Sequence, residues 1–97
     1  MSIMHITEFH AAPGQQSTLE PLLAEGRDRM READGCESFD LYRDKDDELA
    51  FTFVQCWASP EAHDAAFGER IAQSGHLDKV IAALAQPLVQ RTYVVLP

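Results

Sequence analysis

Cys36-Glu37-Ser38-Phe39-Asp40-Leu41-Tyr42-Arg43, then Asp44-Lys45-Asp46-Asp47-Glu48, then Ala50-Phe51-Thr52-Phe53-Val54-Gln55-Cys56-Trp57: two runs that read as strands flank a tract of charge. The second run is dense in aromatic and β-branched residues, the types that suit a pleated, half-buried surface. The tract between them is a polar hairpin loop. Its carboxylates read as a solvated tip, because the glycine and closing glutamate of an EF-hand calcium loop are missing. A turn centred near Asp46 sets Cys36 opposite Cys56 on neighbouring strands. With no CxxC pair and no His at ligand spacing, neither a disulfide framework nor a zinc site is predicted, and both thiols read as buried and inert.

Working outward from the hairpin, Asp34-Gly35 ends a helix upstream of it, with Gly35 suited to a left-handed cap. Leu19, Leu22, Leu23, Gly26, Met30 and Ala33 recur every three or four residues, and Ser17 and Glu20 have the spacing of a capping box. Pro21 falls in the first turn or next to it, where a missing N–H costs little. The opposite face, Glu25, Arg27, Asp28, Arg31 and Glu32, reads as a solvated surface. Ahead of the helix, Ile3 to Phe9 alternate as a strand does, and Pro13-Gly14 turns the chain. Downstream of the hairpin, Ser59-Pro60-Glu61 starts a second helix, with Ser59 as N-cap and Pro60 preset at the first helical position. Ala62, Ala65, Ala66 and Phe67 follow, and Gly68 and Ser74-Gly75 break the pattern. A third helical segment then runs from about His76 to Ala85, with Leu77, Val80, Ile81 and Leu84 on one face. Pro87 ends it, and Gln90 to Leu96 form the last strand.

Strand, helix, strand, strand, helix pair, strand is the split order of a ferredoxin-like β-α-β-β-α-β domain, an α+β fold with a four-stranded antiparallel sheet. Its helices cover one face of the sheet. The strands carry apolar residues on both sides, Phe39, Leu41, Phe51, Phe53 and Trp57 against Cys36, Tyr42, Val54 and Cys56. A second copy of the chain is the simplest cover for the other face, so a homodimer is predicted. The length of 97 residues, 45% hydrophobic and 25% charged, fits one globular domain spanning residues 1–97. Sixteen carboxylates against eight Lys and Arg leave a formal charge of −8, a field that repels nucleic acid and anionic membrane surfaces. No basic leader or membrane-length apolar run is present, and the cytoplasm is the expected location.

Four stretches in register, Gly35 to Asp44, the strand ending in Trp57, Ser59-Pro60-Glu61-Ala62 and Ser74-Gly75-His76-Leu77, together resemble the antibiotic biosynthesis monooxygenase domain over nearly the whole chain. The resemblance implies a dimeric α+β barrel in which two ferredoxin-like sheets face each other and each subunit keeps a pocket between sheet and helices. Several members of that family oxidise electron-rich polycyclic or quinol substrates with molecular oxygen and no metal or flavin, whereas others degrade haem or take part in autoinducer metabolism. Many members place a His in the middle of the second helix in an Ala-His-Leu context. This chain has Ala65-Ala66-Phe67 there, with His63 one turn earlier, and a longer connection from Phe67 to Ser74.

Oxygenation without a cofactor needs a base that draws a phenolic proton, and an apolar pocket with a few placed polar groups to hold the ring. His63, His76 and His5 are the candidate bases. Trp57, Phe53, Tyr42 and Phe67 are the candidate substrate contacts, and no metal ligand or cofactor site is expected. The plainer reading stands beside each: a lone His is commonly a satisfied structural residue, and large aromatics dominate any small core. The expected activity is a cofactor-independent monooxygenase acting on a small hydroxylated aromatic or quinol. The alternative is a ligand-binding or isomerase-type dimer of the same fold, with haem degradation less favoured because no ligand pattern supports it.

Overall fold

The computed structural model describes residues 1–97. Strand β1 (Ile3–His10), helix α1 (Gln16–Arg31), strands β2 (Cys36–Arg43) and β3 (Ala50–Trp57), helices α2 (Pro60–Phe67) and α3 (His76–Ala82), and strand β4 (Val89–Val94) follow in order, with a π-helical turn, Gly68–Ala72, joining α2 to α3. The strands form one antiparallel sheet in the order β2-β3-β1-β4, which is the ferredoxin-like α+β arrangement expected from the element order.

The β2–β3 hairpin has the bounds its alternation predicts. Its charged tip is closed by the chain itself: the Asp44 and Asp47 carboxylates accept from the Asp46 and Leu49 amides at 2.8 and 3.0 Å, as short acidic side chains do in turns. One irregularity alters the pattern. A bulge at Glu37 sets Cys36 opposite Trp57 and Ser38 opposite Cys56, and the inserted residue reverses the facing of everything before it. Cys36 therefore packs on the helix side with Trp57, not on the outer face, and the two cysteines are not a cross-strand pair. Both are free and half-buried, and burial pushes the Cys36 thiol up against a weaker opposing pull from Arg31.

Helix α1 begins one residue before Ser17, and the expected capping box does not form: no side chain caps this helix. The turn at Gly14, with φ of 82°, instead brings the Gln15 carbonyl under the Thr18 and Leu19 amides at 3.1 and 2.9 Å. Pro21 consequently lies inside the helix, where it offers no N–H to the carbonyl of Ser17 one turn earlier. The buried stripe is Leu19, Leu23, Gly26 and Met30. Helix α2 starts as read, with the Ser59 hydroxyl accepting from the Ala62 amide at 3.1 Å. Gly68 does not break it. The chain stays helical there and widens into the π turn. Arg70 ties that turn to α1 by donating to the Arg29 carbonyl at 3.1 Å, while Arg29 donates to the Ser74 hydroxyl at 3.1 Å.

The helix-side face of the sheet is built in rows that cross β2, β3, β1 and β4. Cys36, Trp57, Ile3 and Val94 form the first row, Phe39, Gln55, His5 and Thr92 the second, and Leu41, Phe53, Thr7 and Gln90 the third. Apolar residues gather into two clusters at opposite ends of this face. One centres on Trp57, with Ile3, Met30, Ala33, Phe39, Ala66 and Ile71; the other centres on Leu19 and Phe51, with Phe9, Ala11, Leu23, Val80 and Ala83. The outer face carries half-buried Met4, Ile6, Val54 and Cys56, with exposed Tyr42 and Tyr93 beside Glu8, Asp40 and Arg91.

Candidate functional site

Between the two apolar clusters the interior is hollow. A cavity of about 300 Å³ separates the sheet from α1, α2, the π turn and α3, at the small end of the range for small-molecule sites. Phe9, Leu23, Met30, Phe39, Phe53 and Ile71 supply much of its apolar wall. The polar part of the wall comes from the middle rows of the sheet, His5, Thr7, Gln55 and Gln90, and from His63, Asp64 and His76 on the helices. Gln90 and Asp64 are exposed as well as lining, so they stand at its mouth.

Strand alternation puts His5 inward, between Gln55 and Thr92. Its Nδ1 is 2.7 Å from the Thr92 hydroxyl. His63 reaches the same space from the first turn of α2, which Ser59 and Pro60 fix in place. The two imidazoles lie 4.5 Å apart between ring centres, tilted by 38°. His63 is also held edge-on to Trp57 at 5.6 Å and stacked on Phe67 at 6.1 Å. Its Nδ1 lies 3.0 Å from an Asp64 carboxylate oxygen; a carboxylate can only accept, so Nδ1 carries a proton. Burial holds His5 below the ordinary histidine value of 6.5, and the facing His63 pushes it further down, with Gln90 and Asp64 pulling more weakly the other way. His5 is thus a buried, neutral imidazole at neutral pH, able to accept a proton.

His76 lines the same cavity, yet its Nε2 is taken up by the backbone. Nε2–H donates to the Leu22 carbonyl at 2.8 Å, and Nδ1 lies 3.7 Å from the Glu25 carboxylate. Gly26 makes this possible, since a Cβ at that position would stand 3.2 Å from His76 Nε2. His76 therefore joins α3 to α1 and forms wall.

The cavity brings together five residues singled out in the sequence, His5, His63, His76, Phe53 and Phe67. It leaves out two. Trp57 is fully buried and donates its indole N–H to Gln55 Oε1 at 2.7 Å, so it supports the wall from behind. Tyr42 is 55% exposed and pairs with Thr52 on the outer face, because its position has the opposite parity to Phe39 and Leu41. Thr7, Gln55, Gln90 and Asp64 were not anticipated. The signal for Gln55 was present, as a polar residue in the inward stripe Phe51, Phe53, Gln55, Trp57. No three His, Cys, Asp or Glu side chains converge as a metal-binding group would require, and no helix is long and apolar enough to cross a membrane.

The sequence of residues 2–77 matches the family model described as antibiotic biosynthesis monooxygenase. The chain belongs to that family. No curated protein sequence matches it, but solved structures do. Rv0793 from Mycobacterium tuberculosis is 25% identical with a TM-score of 0.89, the match covering 100% of this chain and 97% of that one. PA3566 from Pseudomonas aeruginosa is 24% identical with a TM-score of 0.84, covering 98% and 95%. SnoaB from Streptomyces nogalater, a cofactor-independent oxygenase, is 14% identical with a TM-score of 0.83, covering 97% and 92%. At these identities the last two show a shared fold. What distinguishes one family member from another is the set of side chains on the cavity wall.

Proposed function

We propose that the chain is a cofactor-independent monooxygenase that oxidises a small hydroxylated aromatic or quinol-type molecule with molecular oxygen. The observation that supports this most directly is the His5–His63 pair, a buried neutral imidazole 4.5 Å from a second one inside a largely apolar cavity. Membership of the monooxygenase family supports the reaction class.

In this reading His5 takes the proton of the substrate hydroxyl, and the resulting anion is electron-rich enough to give one electron to oxygen. The superoxide and substrate radical combine to a peroxide at carbon. Loss of water from the peroxide leaves a carbonyl. For a hydroxyanthrone the balance is one CH₂ and one O₂ going to one C=O and one H₂O, with the substrate supplying the electrons. The proton held by the His5–His63 pair returns to the peroxide oxygen and leaves in the water, and the apolar wall keeps bulk water from the anion.

The assembly proposed with it is a homodimer joined through the outer sheet face, where Met4, Ile6, Val54, Cys56 and Tyr93 are only partly covered. Two free thiols suit a reducing compartment such as the cytoplasm. The test of the activity is an oxygen electrode with hydroxyanthrones and quinols. Uptake of one O₂ per substrate that persists with chelator and falls about 100-fold or more in His5→Ala is expected; uptake unchanged in His5→Ala contradicts the assignment. Light scattering checks the assembly, with twice the 10.8 kDa chain mass expected and a 10.8 kDa particle contradicting it.

A further inference from the structure

Gln55 is 3% exposed, on the wall of the cavity, and it is the residue directly across from His5 in the sheet. Its carboxamide has two ends, and Trp57 decides which end faces where. An indole N–H can only donate, so the 2.7 Å contact from Trp57 Nε1 must fall on Gln55 Oε1. That leaves the Nε2 amide as the end free to act. This nitrogen makes no hydrogen bond within the protein, and it is not among the buried polar atoms sealed away without a partner, where Gln16 Oε1 stands alone. An unpaired amide that is not sealed, on a residue almost wholly buried, opens onto the cavity. It is a donor oriented in advance, with no freedom to flip, beside the imidazole that carries a lone pair.

We propose that Gln55 is a specificity residue: its Nε2–H donates to an oxygen of the ligand, so that the cavity selects molecules whose ionisable hydroxyl has a carbonyl oxygen close beside it, and Trp57 is the positioning residue that fixes the amide. The spacing follows from the sheet. Side chains directly opposite on antiparallel strands stand about 5 Å apart at Cβ, so an imidazole on one and an amide on the other engage two oxygens of one ring system, not oxygens at opposite ends of a long molecule. The chemistry follows too. Deprotonating such a hydroxyl spreads negative charge onto the neighbouring carbonyl, where a fixed amide N–H meets it. Along β3 the amide stands between Phe53 and Trp57, and a ligand that closes over it without supplying an acceptor leaves it buried and unpaired, at a cost in free energy. A ligand oxygen removes that penalty. A ring lacking that oxygen does not, and polar discrimination of this kind is steeper than discrimination by size.

The proposal rests on the cavity being the ligand site, as in the function proposed above, but not on oxygenation, and a binding experiment with unreactive probes separates the two. The probes are 8-hydroxy-1-tetralone and 5,6,7,8-tetrahydro-1-naphthol, which share the phenol and the fused ring and differ by the carbonyl. Trp57, the only tryptophan, reports binding by its fluorescence. The native protein is expected to bind the tetralone about tenfold or more tightly than the naphthol, the size of one well-formed hydrogen bond. In Gln55→Met, close in shape but without the donor or the acceptor that Trp57 uses, the preference is expected to fall to within about twofold. If Gln55→Met does not fold, side-chain amide NMR on the native protein decides: a Gln NH₂ pair that shifts with the tetralone and not with the naphthol supports the proposal. Equal binding of the two probes by the native protein, an undiminished preference in Gln55→Met, or no amide pair that tells the probes apart overturns it. Loss of oxygen uptake with the probe preference intact would contradict the oxygenase reading alone.

Discussion

The interior has two kinds of region that differ in what they are built to do. At its ends, the Trp57 cluster and the Leu19–Phe51 cluster are close-packed, with Trp57 and Leu19 wholly buried. Between them, on the same strands and under the same helices, the rows hold His5, Thr7 and Gln55, all less than a tenth exposed, around unfilled space. A protein selected for stability alone would fill that middle with Leu and Val, since buried polar groups and voids both cost free energy. A small domain has little surplus to spend on them. On the function proposed above, the contrast sets activity in the middle and stability in the ends, and substitutions can test whether the division is real.

The largest effect is expected at the ends. Trp57→Ala should cost about 3–5 kcal/mol, a large share of what a domain this size has, read as a lower urea midpoint. It would also release Gln55, so its binding phenotype is secondary to its stability. Gly35→Ala comes next. Gly35 has φ of +86°, and a Cβ there would lie 2.6 Å from Ala62 Cβ, at the seam where the end of α1 meets α2. The left-handed backbone alone costs roughly 1–2 kcal/mol for a residue with a Cβ, and the contact adds to it. Substitutions in the middle should behave oppositely. Thr7→Val, polar to apolar on the cavity wall, is expected to leave the urea midpoint unchanged or to raise it by up to about 1 kcal/mol equivalent, while changing the turnover of any substrate the cavity accepts. A Thr7→Val variant that loses as much stability as an end-cluster variant would erase the distinction.

How much of this was legible in the sequence follows the same division. Period-two and period-3.6 patterns are signatures of burial, so the elements that build the packed ends could be read directly: β2 and β3 have their expected bounds, and Ser59 caps α2 as its type and position indicate. Departures arose where backbone geometry overrode side-chain preference. The Gly14 turn started α1 ahead of Ser17, the bulge at Glu37 carried Cys36 to the other face, and Gly68 continued a helix it was expected to break. The site was legible in part. Its histidines are conspicuous by residue type, but their convergence depends on cross-strand register and on where α2 lands. Gln55 is silent in the sequence because an amide carries no chemistry by itself; its orientation comes from the Trp57 bond. Tyr42 and Trp57 stand out by residue type, but parity puts one on the outer face and depth seals the other behind the wall.

The smallest expected effect tests the same division by protonation. Because the folded protein holds His5 below 6.5, the unfolded chain takes up its proton first as the pH falls. Between the unfolded and folded pKa values the unfolded state binds more protons, so His5 contributes a loss of stability on acidification through that window and none above it. His5→Asn should flatten this part of the pH profile in urea titrations.

The most direct measurement is an NMR titration of the imidazole resonances, assigned with His5→Asn. A His5 midpoint below 6.5 in the native protein, moving upward when His63 is replaced by Leu, is what a buried, neutral base in a hollow, largely apolar chamber requires. A His5 that titrates at or above 6.5, indifferent to residue 63, would mean that water fills the middle freely and that no base is held there.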